Sequence, residues 1–137
     1  MILVDTGPLY AFFNKRDQWN WWVGKSLGEF EPPLYTCESV ISETIFLFQR
    51  TSIQVEELME LIERGHLIIE PAFKSKKDRE RIQEVLINYQ NVPASFADAC
   101  LVRMAENNDL SEIMTLDSDF TIYRKSGGEP LNLIYPF

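Results

Sequence analysis

The first apolar residues, Met1-Ile2-Leu3-Val4, run without alternation, as in a strand buried on both faces of a parallel sheet. The run stops at Asp5-Thr6-Gly7-Pro8. Gly7 permits a sharp turn there, and Pro8 suits the first turn of a helix that carries Leu9, Tyr10, Phe12 and Phe13. A second helix is predicted over residues 18–29, with Trp19, Trp22, Val23 and Leu27 on its packed face and Trp21 off it, free to meet solvent or a partner. Pro32-Pro33 breaks the chain before a second strand over 34–37. Residues 39–50 read as a helix apolar over most of its surface, hence largely buried. Thr51-Ser52-Ile53-Gln54 has the form of a capping box for the following helix, and Gly65 suits that helix's C-terminal cap. A third strand falls at 66–70. Over 75–91, Ile82, Val85, Leu86 and Tyr89 recur at helical spacing. A last helix covers 95–107, and strands four and five fall at 113–116 and 131–135.

Strands separated by helices predict an α/β fold: one three-layer domain over residues 1–137, with a central parallel sheet of about five strands and helices on both faces. In such sheets ligands bind beyond the carboxyl ends of the strands. The 45% of hydrophobic residues and 12% of aromatics supply a core for a chain of this length. No apolar run approaches the roughly 18 residues of a membrane span, and the opening run is too short for a signal peptide, so a cytoplasmic protein with no membrane role is expected. Cys37 and Cys100 lie in apolar stretches and read as buried free thiols. The single histidine, His66, has no Cys or His at zinc-ligand spacing, which argues against zinc.

The acids carry the chemistry. Asp5 ends the first strand and Asp117 follows the fourth, so both belong to one edge of the sheet. Glu43 interrupts Val40-Ile41-Ser42-Glu43-Thr44-Ile45-Phe46, and Asp98 interrupts Phe96-Ala97-Asp98-Ala99-Cys100. Carboxylates are rarely buried unless paired or bound to metal. Each has a structural explanation taken singly. Asp5 can cap its helix, Asp98 can complete a capping box with Ser95, and Asp117 and Asp119 can be ordinary loop acids. Glu43, in mid-helix, has no capping role, though a salt bridge to an Arg or Lys elsewhere in the chain would account for it. The combination is what points to a site.

That combination, Asp5-Thr6, Ile41-Ser42-Glu43, Phe96-Ala97-Asp98-Ala99 and Thr115-Leu116-Asp117-Ser118-Asp119-Phe120, resembles the PIN-domain family, including VapC-type toxins, from residue 2 to about residue 134. The resemblance implies an acidic pocket that binds Mg2+ or Mn2+ and hydrolyses RNA phosphodiester bonds. Carried over residue by residue, it assigns catalytic and metal-binding roles to Asp5, Glu43, Asp98 and Asp117. Asp119 competes for the fourth ligand position, and Thr6 and Thr115 are auxiliaries. It further implies an RNA substrate, a cognate antitoxin that covers the pocket, and a homodimer. Hard cations prefer such oxygen ligands, and two of them can activate water and stabilise a leaving oxygen.

A net charge of −8 sits badly with a basic nucleic-acid surface, although two bound divalent ions would halve it where phosphate must lie. Two ionised acids about 6 Å apart repel by roughly 3 kcal/mol at an effective dielectric near 20, so a tight empty cluster needs protons, spacing or metal. The one basic run, from Lys74 to Arg81, offers Lys74, Lys76, Lys77 and Arg79 as RNA contacts, although a solvated helix start is its commoner fate. Three other readings compete. A non-catalytic RNA- or partner-binding module of the same fold would not require the whole acid set. A response-regulator-type phosphoacceptor would need adjacent acids after strand one and a lysine near the last strand, which Asn132 to Phe137 lacks. A dehalogenase-type phosphatase would need an acid where Gly7 stands.

Overall fold

Leu3 and Val4 are consecutive, so on a strand their side chains leave opposite faces, yet both are almost completely buried. The same holds for Ile113 and Met114. Two covered faces require layers on both sides of the sheet. In the computed structural model, which describes residues 1–137, these layers are six helices around five strands. The order is β1 (Ile2–Val4), α1 (Thr6–Phe13), α2 (Asn20–Leu27), β2 (Leu34–Thr36), α3 (Glu38–Phe48), α4 (Val55–Glu63), β3 (Leu67–Ile69), α5 (Lys76–Asn88), α6 (Phe96–Glu106), β4 (Glu112–Met114) and β5 (Leu133–Ile134), with a 3-10 turn at Ser118–Thr121 between the last two.

All pairings are parallel and the strands lie in the order β3-β2-β1-β4-β5. Leu3 aligns with Tyr35 on one side and Ile113 on the other. The chain therefore builds outward from β1 in one direction, then returns and builds outward in the other. The reversal lies between β1 and β4, and a crevice opens beyond the carboxyl ends of strands at such a point. Asp5 and Thr115 follow those two strands directly, and their backbone amides extend the pairing, to Met114 O at 3.0 Å and Ile134 O at 3.1 Å.

Three local expectations change. The helix over 39–50 is not buried over most of its surface: Val40, Ile41, Thr44 and Phe48 face the core, while Ser42, Glu43, Phe46 and Gln49 are exposed. Apolar residues here exceed what one buried stripe needs. The capping box at 51–54 does not form, because α4 starts at Val55 and its cap, Gln54, makes no side-chain hydrogen bond. The Thr51 hydroxyl instead donates to Phe48 O, closing the turn after α3. Gly7 serves close approach rather than a turn: it lies inside α1, and an added Cβ would stand 3.3 Å from Leu116 Cβ. It thereby lets the start of α1 press against the loop after β4. Gly65 has the positive φ, 77°, that a C-terminal cap requires. Of the residues set on the stripe of α5, Ile82 and Val85 are buried and Leu86 is exposed. The tryptophans divide as their spacing predicts, with Val23 buried, Trp19 and Trp22 half-buried, and Trp21 72% exposed.

Candidate active site

Asp5 is the N-cap of α1: its Oδ1 accepts from the Thr6 amide at 2.8 Å. Its other oxygen accepts from the Thr115 hydroxyl, also at 2.8 Å, so β4 clamps a carboxylate that β1 delivers. The Thr6 hydroxyl donates to Glu43 Oε1 at 2.6 Å, joining α3 to the same point. On the far side, Thr115 Oγ1 accepts from the Asp117 amide at 3.0 Å, and Asp117 Oδ1 accepts from the Asp119 amide at 2.9 Å. Glu43, Thr6, Asp5, Thr115, Asp117 and Asp119 thus form one continuous chain of hydrogen bonds across the mouth of the crevice. Thr6 and Thr115 hold carboxylates there.

Asp98 enters separately, from the first turn of α6. It completes a capping box: Oδ2 accepts from the Ser95 amide at 2.9 Å, and Ser95 Oγ accepts from the Asp98 amide at 3.1 Å. The capping roles available to Asp5 and Asp98 are therefore real. They fix one edge of each carboxylate and do not compete with a role for the other edge.

Electrostatics tie Asp98 to the rest. Asp5, only 6% exposed, has its pKa raised to about 7, first by burial and then by the charge of Asp98, with Glu43 adding to it; the bonds from Thr115 and Thr6 pull the other way. Asp98, half-buried, is also raised by burial, and Asp117 and Glu43 push in the same direction. Asp119 is raised by burial and by Asp117. The five acids therefore act on one another, but no three Asp, Glu, His or Cys side chains gather closely enough to hold an ion as a set. The tight cluster of mutually repelling charges is relaxed by spacing, by the exposure of Glu43 and Asp117, and by the tendency of Asp5 to keep its proton.

All donors here are oxygens, and Mg2+ is commonly held by one or two carboxylates with water completing its shell. The donor chemistry fits a hard divalent ion, and the buried Asp5 is the group a cation would most relieve.

Tyr123 was not singled out by the sequence. It is fully buried, its hydroxyl donates to Pro93 O at 3.3 Å, and its ring packs edge-on against Tyr89 and Phe120. Burial raises its pKa, and Asp98, Asp119, Asp117 and Asp5 add to the rise. It links the segment after the 3-10 turn to the loop that leads into α6. The recurrence of aromatics at Phe120 and Tyr123 was the available signal.

In the basic run, Arg81 turns inward to Glu106 at 2.7 Å and to Arg124 O, while Lys74, Lys76, Lys77 and Arg79 stay exposed. The run adjoins the acid-bearing helix, since Phe73, next to Lys74, packs edge-on against Phe96, two residues before Asp98. Cys37 and Cys100 are buried free thiols that take no part in this hydrogen-bond chain.

The PIN-domain family model matches residues 2–126. Among solved structures, the fold is similar to that of the Mycobacterium tuberculosis toxin VapC20, described as cleaving the sarcin–ricin loop, with a TM-score of 0.73 and 23% identity over 89% of this chain and 94% of that one. None of the curated proteins compared matches the sequence.

Proposed function

The chain belongs to the PIN-domain family, and on that premise we propose that it is a divalent-metal-dependent endoribonuclease, the toxin of a toxin–antitoxin pair. One observation carries the reading: Asp5, Glu43 and Asp117, from three separate parts of the chain, share one chain of hydrogen bonds at the sheet's switch-point crevice, and the charge of Asp98, from a fourth, reaches Asp5 there. Packing alone gives no reason to assemble them.

In this reading Asp5 and Asp98 are the principal metal ligands, Glu43 ligates through water or orients the attacking water, and Asp117 or Asp119 serves as the fourth acid. When bound, Mg2+ or Mn2+ would polarise the phosphate and make a bound water more acidic. The chain's own contribution is orientation. Thr6 and Thr115 fix the carboxylates before substrate arrives, so little reorganisation is left for the reaction itself. Lys74, Lys76, Lys77 and Arg79 would meet the RNA backbone beside α6. A cognate antitoxin, a homodimer and a cytoplasmic location complete the proposal.

The test is cleavage of RNA in Mn2+, with EDTA, Asp5→Asn and Asp98→Asn as controls. The sarcin–ricin loop is included because the structurally similar VapC20 cuts it. Loss of at least about 100-fold in both variants is expected, a barrier increase near 3 kcal/mol. Equal cleavage by the variants would trace the activity to a contaminant. A folded wild-type protein that binds RNA without cutting it would make this a binding module.

A further inference from the structure

The exposed edge of α3 carries a short stripe that leads away from the acids. Glu43 and Phe46 are spaced i and i+3, and Arg50 follows just beyond the helix cap. Phe46 is 54% exposed, and the Arg50 guanidinium lies over its ring at 4.8 Å from the centroid. Phe46 shares one crevice with Thr6, Ser42, Glu43 and Leu47, so the ring opens onto the same hollow as the carboxylate that Thr6 holds. Roughly 5 Å along the helix separates the two.

From this geometry we infer that Phe46 and Arg50 form a stacking subsite for an unpaired RNA base next to the bond that is cut. The inference rests on the ribonuclease reading and extends it to a specific part of the substrate. Every base presents a π-face to an aromatic ring, and the guanidinium over one face of this ring adds a cation for the backbone. The surroundings favour a base over an apolar protein surface. The crevice sets Thr6, Ser42 and Glu43 beside Phe46 and Leu47, and exposed Gln49 and Arg50 follow on the same helix, so polar and charged groups adjoin the ring where a protein docking patch would continue with apolar ones. The subsite also answers the problem of an acidic chain that binds RNA, because stacking contributes affinity without requiring a wide basic surface.

The experiment uses the RNA that the wild-type protein cuts, with 2-aminopurine placed on either side of the scissile bond, and reads kcat and KM separately. Phe46→Leu should raise KM about 5- to 100-fold and abolish the fluorescence quenching that accompanies stacking, while Phe46→Trp should retain both. Arg50→Gln should raise KM and flatten its dependence on salt. Phe46 is mostly exposed, so folding is not at stake, and unchanged melting temperatures would verify that. An active Phe46→Leu protein with unaltered KM and quenching overturns the subsite and leaves the ribonuclease reading standing. An unaltered KM accompanied by a changed oligomeric state would assign Phe46 to a protein interface instead. Absence of cleavage by the wild-type protein removes both.

Discussion

Replacing Asp5 with Asn isolates the electrostatic burden of the site. In the folded, metal-free protein the Asp5 carboxyl is raised from 3.8 to about 7, chiefly by burial and then by Asp98. A carboxyl whose pKa is higher folded than unfolded favours folding while it is protonated. That advantage is complete below about pH 4 and is lost as pH rises through about 7. At about 1.4 kcal/mol per pH unit, ionised Asp5 costs roughly 4 kcal/mol at pH 8 but under about 2 kcal/mol at pH 5. Asn keeps the acceptor for the Thr6 amide but turns a donor toward Thr115, whose oxygen already accepts from the Asp117 amide. That exchange costs about 1–2 kcal/mol at every pH. In EDTA the two proteins should therefore be close in stability at pH 5, with Asp5→Asn ahead by about 2–3 kcal/mol at pH 8. At about 3–4 °C per kcal/mol this is a gap near 8 °C in melting temperature. Millimolar Mg2+ or Mn2+ should then raise the wild-type midpoint at pH 8 by more than the variant's, since the variant lacks one of the two proposed principal ligands. Thermal melts from pH 5 to 8, with and without metal, measure both effects. A difference between the proteins that stays flat with pH would refute the burial argument. A metal response equal in both would refute Asp5 as a ligand.

Thr6→Val removes the hydroxyl that fixes Glu43 while keeping the shape of a residue only 9% exposed; cleavage should fall at least about tenfold with little change in melting temperature, and an equal rate would show that Glu43 needs no such restraint. Arg81→Met should do the reverse. It leaves Glu106, whose side chain is only 6% exposed, without its 2.7 Å partner, so stability should drop by about 3 kcal/mol in denaturant unfolding while kcat holds, and a drop below about 1 kcal/mol would mean that Arg103, 3.6 Å away, suffices.

Much of the site was legible in the chain because its signals are local contradictions. An acid directly after an unbroken apolar strand, or in mid-helix among Val40, Ile41 and Ile45, stands out without knowledge of the fold. The capping partnership of Ser95 and Asp98 could be read from spacing alone, since both groups lie within one turn. Phe46, by contrast, looked like core. Apolar character says what a residue tolerates, whereas burial depends on which face of α3 the rest of the molecule covers.

The sequence by itself determined the alternation of strands and helices, the parallel sheet and the set of acids, because these follow from short-range periodicity and residue chemistry. Tertiary structure alone decided three things: that Thr115, 110 residues from Asp5, clamps it; that Thr6 reaches Glu43; and that the acids stand too far apart to form a closed ligand set. Distance along a chain does not encode distance in space. Only the strand order, with β1 seated between β2 and β4, brings these groups to one crevice and fixes how closely they approach.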